Sequence, residues 1–440
     1  MLNRFKIICL SIMMIVASTL HAQKMLTIEE AVAAALKNNY DIQLLRNDSA
    51  VYSLDYGYRN AAFLPRINAS AAILFNNNNQ KQKLADGTER KQDGIRSDNT
   101  NASVNLNWTV FDGLKMFATR DKLAQFVRLG ELNIKNQLLN SVSDVIKTYY
   151  NIVSQKQQLK AIEEQMGINE ERLKQAEKKL SVGLGAKPEL LQAKLDLNAQ
   201  KAARLKQLTV IDQLKEQLNQ LIVFPAGTYY EVADSIVFDN NLIAGEIFST
   251  AENNNPALKV AKQNIIIAGL VLKERKAERF PTVSLNSAYN FSKTNNNAVV
   301  NNFTTLFNRN YGFNYGVSIS IPILNYFTVR RNIQAAQLDI NYQQVLYNYQ
   351  KIKIDIAISS AYKDYELQKK TLELEEENIK LAKENVYIAL ERFRLGISTV
   401  LELRETQKSL EDAYNRLITA RYNSKLAETE LLRLRGDLVK

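Results

Sequence analysis

Apolar and polar residues alternate in four short stretches of the chain and follow helical spacing over most of the remainder. Val283, Leu285, Tyr289 and Phe291 are separated by Ser284, Asn286, Asn290 and Ser292. Tyr311, Phe313, Tyr315, Val317, Ile319 and Ile321 are separated by Gly312, Asn314, Gly316, Ser318 and Ser320. This period of two predicts β-strands at about 281–292 and 311–323. A weaker form predicts two more at about 65–76 and 101–111, and the polar stretches 76–99 and 293–310 read as loops. Strands of this length and alternation suit a transmembrane barrel, with apolar residues toward lipid and polar ones toward the lumen. A soluble β-sandwich hairpin shares the period. Against it, Trp108, Phe111, Phe280, Tyr326 and Phe327 fall near strand ends, where a membrane-interface belt places aromatics. Four strands cannot close in lipid, because an open edge leaves backbone groups unpaired. At least two copies must share one barrel.

The helical stretches are too long for an ordinary globule. Between Gly113 and Leu180 there is no proline and only Gly130 and Gly167 interrupt. A helix over about 113–181 would be roughly 100 Å long. Its counterpart covers about 326–394, and return helices cover about 188–221 and 399–435. One seam at 3-4 spacing runs Leu159, Ile162, Met166, Asn169, Leu173, Ala176, Leu180, and its counterpart Leu372, Glu375, Ile379, Ala382, Val386, Ala389, Phe393. Leu374, Leu381, Ile388 and Leu395 form a second seam, so the helix expects a neighbour on each side. Compact breaks with Gly183 and Pro188, and with Gly396, turn the chain back.

These elements occur twice. Lys37-Asn38-Asn39 answers Asn253-Asn254-Asn255, and Leu64-Pro65 answers Phe280-Pro281, both 216 residues on. Gly183 answers Gly396, Glu189 answers Glu402 and Asp112 answers Asn325, all 213 residues on. Each half reads helix, strand, polar loop, strand, very long helix, break, long helix. The expected organisation is a first repeat over 23–222, an irregular joining segment over 223–245, read as a candidate side domain, and a second repeat over 246–440.

Composition narrows the chemistry. Arg4 and Lys6, the apolar run Ile7–Leu20 and then Ala22 read as a secretory signal peptide over 1–22. Its removal takes away Cys9 and His21, the only cysteine and the only histidine. Thiolate catalysis, histidine triads and His/Cys metal sites are thereby excluded. No catalytic residue, cofactor or metal is expected, and the chain does not read as an enzyme. The formal net charge of +11 falls by two with the leader, and the remaining lysines and arginines alternate with glutamates as on solvated helix faces. Nucleic acid is not an expected partner. Glu402 and Glu405 share a helix face beside the second break. They read equally as an acidic ring in a symmetric assembly or as a solvated first turn favoured by the helix dipole.

With these parts assembled, the chain resembles the TolC-like outer-membrane efflux protein family over nearly all of its mature length. The likeness rests on Leu26-Thr-Ile-Glu-Glu-Ala-Val, Leu36-Lys-Asn-Asn-Tyr, Trp108-Thr-Val-Phe-Asp-Gly, Lys179-Leu-Ser-Val-Gly-Leu-Gly, Asn255-Pro-Ala-Leu, Ile319-Ser-Ile-Pro-Ile-Leu-Asn and Arg392-Phe-Arg-Leu-Gly-Ile-Ser, in this order. The resemblance implies a mainly α fold with a β-barrel contribution. It implies a homotrimer with a 12-stranded barrel in outer-membrane lipid and a periplasmic helical tunnel. It also implies a passive exit duct for efflux or type I secretion, docked to a periplasmic adaptor (membrane fusion) protein and an RND, ABC or MFS-type inner-membrane transporter. By motif, the acidic gate falls on Glu402, Glu405 and Glu189, and the tip latch and adaptor-docking turns on Gly183 and Gly396. Ser398 stands where the family often has a basic residue, leaving the latch partner to Arg394, Arg404 or Lys187. Thr109 replaces the proline that Pro322 keeps. The competing reading is a non-pore periplasmic coiled-coil or adaptor-type protein.

Overall fold

The computed structural model describes residues 25–238, 242–300 and 303–438, so the expected leader lies outside the described residues. Four strands, β1 (Arg66–Lys83), β2 (Glu89–Phe111), β3 (Thr282–Asn296) and β4 (Phe307–Ser320), form one antiparallel sheet in the order β1-β2-β3-β4. All four expected strands are present, but the expected loops are largely strand as well. β1 and β2 continue as a hairpin through Asn76–Lys83 and Glu89–Asn99, turning at residues 84–88. The apolar alternation stops near Phe75 because it tracks only the length of the sheet's apolar face, whereas the backbone ladder needs no apolar face and continues. β4 ends at Ser320, short of Ile321 and Ile323, beyond which the chain turns towards a helix.

Two helices, not one, precede each strand pair. α1 (Ile28–Asn38) starts at Thr27, whose Oγ1 accepts from the Glu30 amide at 3.2 Å while the Glu30 carboxylate accepts from the Thr27 amide at 3.4 Å. This reciprocal cap fixes the helix start. α2 (Tyr40–Gly57) follows after a single residue, Asn39. Asn39 Oδ1 accepts from the Asp41 and Ile42 amides at 2.9 and 3.3 Å, and its Nδ2 donates to the Leu221 carbonyl at 3.1 Å. The side chain thus caps one helix and ties it to another. Asn255 does the same between α5 (Ala244–Asn254) and α6 (Pro256–Ala277), accepting from Ala257 and Leu258 and donating to Leu434 at 2.8 Å. The 216 and 213 offsets therefore carry over to individual hydrogen bonds.

The long helices are α3 (Lys115–Ser181) and α7 (Thr328–Arg394), each 67 residues, returning as α4 (Lys187–Ile222) and α8 (Val400–Arg435), each 36. The chain forms two compact units that cut across the repeats. One, Ser49–Gly130 with Ala261–Leu346, holds the sheet and the adjoining helix ends. The other holds the described residues from Met25 to Asp48, from Glu131 to Val260 and from Tyr347 onward. Its core is built twice: Val145, Ile152 and Leu218 are buried in one cluster, and their counterparts Ile358, Tyr365 and Leu431 in another. The joining segment is not a separate side domain. Tyr230 and Val232 are buried in the first cluster, and the Leu26 amide donates to the Glu231 carbonyl at 2.8 Å.

Candidate functional site

Register sorts the sheet into two chemically opposite faces. Side chains paired directly across an antiparallel ladder lie on the same face. Ile73, Ala69 and Ile67 pair with Thr100, Val104 and Leu106. Val104 pairs with Tyr289 and Trp108 with Leu285, and these pair with Phe313 and Val317. One face is thus apolar from edge to edge, and it is open: Phe75, Phe313 and Val317 are 77%, 67% and 62% exposed. An exposed apolar surface of this extent on a folded chain belongs against something other than water. The opposite face is a polar ladder. Ser70 and Ser103 hydroxyls meet at 2.9 Å, Asn107 Nδ2 donates to Asn286 Oδ1 at 2.6 Å, and Asn286 Nδ2 donates to Ser318 Oγ at 2.9 Å.

The aromatics singled out from the sequence gather where strands meet helices. Phe111 ends β2 and Phe280 immediately precedes the segment leading into β3. Trp108 Nε1 donates to the Phe63 carbonyl at 2.8 Å. At the β2–α3 turn the Asp112 carboxylate accepts from the Met116 amide at 3.0 Å, while Gly113 and Leu114 have φ of 72° and 71°. Tyr326 and Phe327, their equivalents 213 residues on, have φ of 51° and 58°. A left-handed backbone is costly for residues with a Cβ, and both side chains are exposed.

The two helical tips lie in the other unit. Gly183 and Gly396 have φ of 76° and 75°, the conformation that ends a helix most cheaply in glycine. In both turns large apolar side chains face outward: Leu184, Leu395 and Ile397 are 84%, 73% and 67% exposed. Glu402 and Glu405 are exposed on the first turns of α8, and Thr399 Oγ1 accepts from the Glu402 amide at 3.2 Å. Glu189 is half-buried near the start of α4. Ser398 is buried and Lys187 exposed. Of the three candidate basic partners, Arg394 lies 2.6 Å from Glu391 and 3.6 Å from Glu171. Arg404 lies 3.6 Å from Asp196, and Lys187 makes no ion pair among the described residues.

The centre of this region is a polar clasp that the sequence pattern did not reveal. Arg172 of α3 is 3% exposed; it is ion-paired with Asp196 of α4 and donates to Gln407 Oε1 of α8 at 3.3 Å. Gln407 Nε2 donates to Asn169 Oδ1 at 3.3 Å, and Gln192 Nε2 to Asp196 Oδ1 at 2.8 Å. Burial would raise the Asp196 pKa. Hydrogen bonds from Arg172 and Gln192, with the charges of Arg172 and Arg404, outweigh it and hold the carboxyl below its ordinary value. The clasp joins the α3–α4 hairpin to α8. Deeper in the same seam Ile168 packs on Ile379, Leu410 and Leu417, and Tyr414 is hydrogen-bonded to Glu164.

The sequence model of the family described as outer membrane efflux protein matches residues 31–223 and again 247–437. The chain belongs to the outer membrane efflux protein family. Its two matched segments are the two copies of the repeat. Among relatives, outer membrane efflux protein BepC of Brucella suis is 21% identical over 426 residues, covering 94% of this chain and 86% of that protein. Protein CyaE of Bordetella pertussis is 23% identical over 390 residues, covering 88% and 79%. Among solved structures, the CmeC outer membrane channel of Campylobacter jejuni superposes with a TM-score of 0.76 at 16% identity, covering 94% of this chain and 86% of that one. The fold of this efflux family member is that of an outer membrane channel subunit.

Proposed function

We propose that this protein is the passive outer-membrane exit duct of a tripartite efflux or type I secretion system. The observation that carries the reading is the sheet: one apolar face, one polar face, and unpaired edges at β1 and β4. In lipid those edges must be paired. Three copies, the number implied by the family resemblance, would close twelve strands with the apolar faces outward and the Asn/Ser ladders lining a water-filled lumen. Trp108, Phe111, Phe280, Tyr326 and Phe327 then occupy the membrane interface. The helical part extends into the periplasm and its exposed apolar turns receive an adaptor, which links the duct to an inner-membrane transporter that supplies the energy. Glu402, Glu405 and Glu189 recur around the axis at the tip as an acidic constriction.

Planar-bilayer conductance of the purified assembly tests this. Open-channel steps are expected, and changing Glu402 and Glu405 together to Ala is expected to raise conductance or weaken block by divalent cations. Absence of any pore, in both the native and the substituted protein, would remove the duct reading. A pore indifferent to the double substitution would remove only the acidic ring.

A further inference from the structure

Two cations interrupt the apolar face of the sheet at the end away from the strand-to-helix turns. Phe291 pairs with Tyr311 on that face, and the next pair in the same register is Lys293 with Arg309. Like charges directly opposite in an antiparallel ladder repel. The same sheet shows how such a pair is relieved from within the chain. Lys81 lies opposite Lys91, and each has its own carboxylate, Glu89 at 2.7 Å and Asp93 at 2.9 Å. Lys293 and Arg309 make no ion pair among the described residues and turn to rings instead. The Arg309 guanidinium lies 5.6 Å from the Phe291 ring and 5.9 Å from that of Tyr311, and Lys293 Nζ lies 6.0 Å from that of Phe307. These contacts steady the side chains but do not neutralise them. The acidic group nearest in register, Asp98, sits one row further out, opposite Phe75 and Asn295, and Arg96 follows it on the same face. Cations therefore outnumber anions at this end of the apolar face.

Height along the sheet gives the pair a place. Lys293 lies ten residues beyond Val283, which pairs with Phe111 at the strand-to-helix end. Ten residues of strand span roughly 33 Å. Tilted as barrel strands are, they rise about 25 Å, the height of a barrel's apolar band. With Phe111 at one membrane interface, Lys293 and Arg309 stand at the other, where the headgroups of the far leaflet begin. The opposite face supplies the contrast. At the same level it carries Ser292, Thr294, Asn308 and Asn310, with Asn99 and Asn101 on β2, and no charge. Solubility alone would be served from either face, and most cheaply from the one turned to water. Long cationic stems do snorkel to an interface, but that accounts for single residues, not for two like charges held in one cross-strand pair. Charge is confined here to the face where an anionic headgroup can meet it.

We infer that Lys293 and Arg309 together seat a phosphate group of a lipid headgroup at the outer rim of the apolar face. The phosphate relieves the repulsion that the register imposes, with Arg309 offering a forked donor and Lys293 a point charge. The assignment rests on the duct reading above, which sets this face against lipid. Native mass spectrometry of the full-length protein in non-ionic detergent tests it. The probe is a diacyl phosphatidic acid, and the reference is phosphatidylcholine of the same chains, whose choline offsets the phosphate charge. The native protein is expected to retain phosphatidic acid roughly tenfold or more over Lys293→Gln with Arg309→Gln, the effect of two cations beside an anionic headgroup. Phosphatidylcholine should not distinguish the two proteins. Lys293→Arg with Arg309→Lys keeps both charges and should keep the preference. Lys81→Gln with Lys91→Gln removes equal charge from the hairpin and should leave the preference intact. Equal retention by the native protein and the Lys293/Arg309 double variant, or an equal loss in the Lys81/Lys91 control, would overturn the seat. Displacement of the lipid by inorganic phosphate at equal concentration would overturn the headgroup in favour of a free anion. Bilayer conductance of the native protein separates the two readings. Open-channel steps without any lipid preference would overturn the seat alone, whereas absence of both would remove the duct together with it.

Discussion

The seam inside the chain and the seam inferred between chains use equivalent positions with different chemistry. Inside, Gln125 meets Gln263, and Lys122 meets Glu274. Carried by the 213 and 216 offsets to the seam between copies in the proposed assembly, those pairs become Leu338 with Asn47, and Ala335 with Tyr58. The inner seam forms between segments already tethered, so polar pairs that demand exact geometry are affordable there and set the register. The outer seam has to repay the entropy of bringing separate molecules together, and apolar residues supply that driving force. One architecture is thus specified by polar pairing within a copy and by apolar burial between copies.

The sharpest way to break this comparison is to place like charges on each seam in turn. Tyr342→Glu with Val345→Glu should abolish the assembled species in detergent sizing while leaving helical content by circular dichroism unchanged. The equivalent pair inside, Leu129→Glu with Leu132→Glu, should instead lower helical content and the amount of folded protein, because those half-buried side chains belong to the chain's own packing. Equal effects from both pairs would erase the distinction. A milder change, Leu381→Ala, should weaken association by ~2 kcal/mol, the burial worth of one large aliphatic side chain.

The clasp at the tip offers the next largest effect. Arg172→Ala removes an almost wholly buried guanidinium and leaves Asp196 with Arg404 at 3.6 Å. A loss of about 1.5–3 kcal/mol is expected, the range for a hydrogen bond to a charged group, read by denaturant unfolding of the detergent-solubilised protein. The Asp196 pKa is lowered in the fold, so its stabilising contribution is present above the ordinary carboxylate pKa of about 3.9 and is lost as pH falls through the lower folded value. Tip stability, followed by proteolysis near Gly183 and Gly396, should therefore drop in acid below about pH 4. Asp196→Asn should remove that component of the pH dependence. An unchanged acid profile in the variant would show that Asp196 is not the responsible group.

Much of this was legible in the sequence, and the gaps have physical causes. Strand positions and both long helices follow from periodicity, because lipid and a neighbouring helix each impose a regular apolar face. The hairpin beyond Phe75 was read as loop because neither of its faces carries an apolar pattern, although its backbone pairing continues to Lys83 with Glu89. Arg172 was missed for the opposite reason. A charged residue in a helix pattern signals solvent, and only the approach of α4 and α8 turns that position inward. Asn39 was visible as a repeated asparagine, but its role as cap and tie depends on the Leu221 carbonyl, 182 residues away.

At the strand-to-helix turns the repeats differ in how they meet the same backbone demand, and the smallest effect belongs to the second of them. A Cβ at Gly113 would come within 2.4 Å of the Ala277 carbonyl oxygen, and its φ is already 72°. Gly113→Ala should therefore cost more than the ~1–2 kcal/mol of a left-handed backbone alone. Tyr326 holds the equivalent place at φ 51° with its ring 95% exposed. If only backbone conformation matters there, Tyr326→Gly should stabilise the protein by up to ~1 kcal/mol, since relief of a left-handed backbone, ~1–2 kcal/mol, outweighs the ~0.4–1 kcal/mol lost to glycine's greater unfolded-state entropy. The interfacial reading expects otherwise: the ring should be worth more in a membrane than the strain it imposes. Tyr326→Gly should then raise thermal stability of the unassembled chain in detergent yet lower the stability of the assembled channel in lipid. A gain in both settings would mean that the aromatic belt does not extend to this turn.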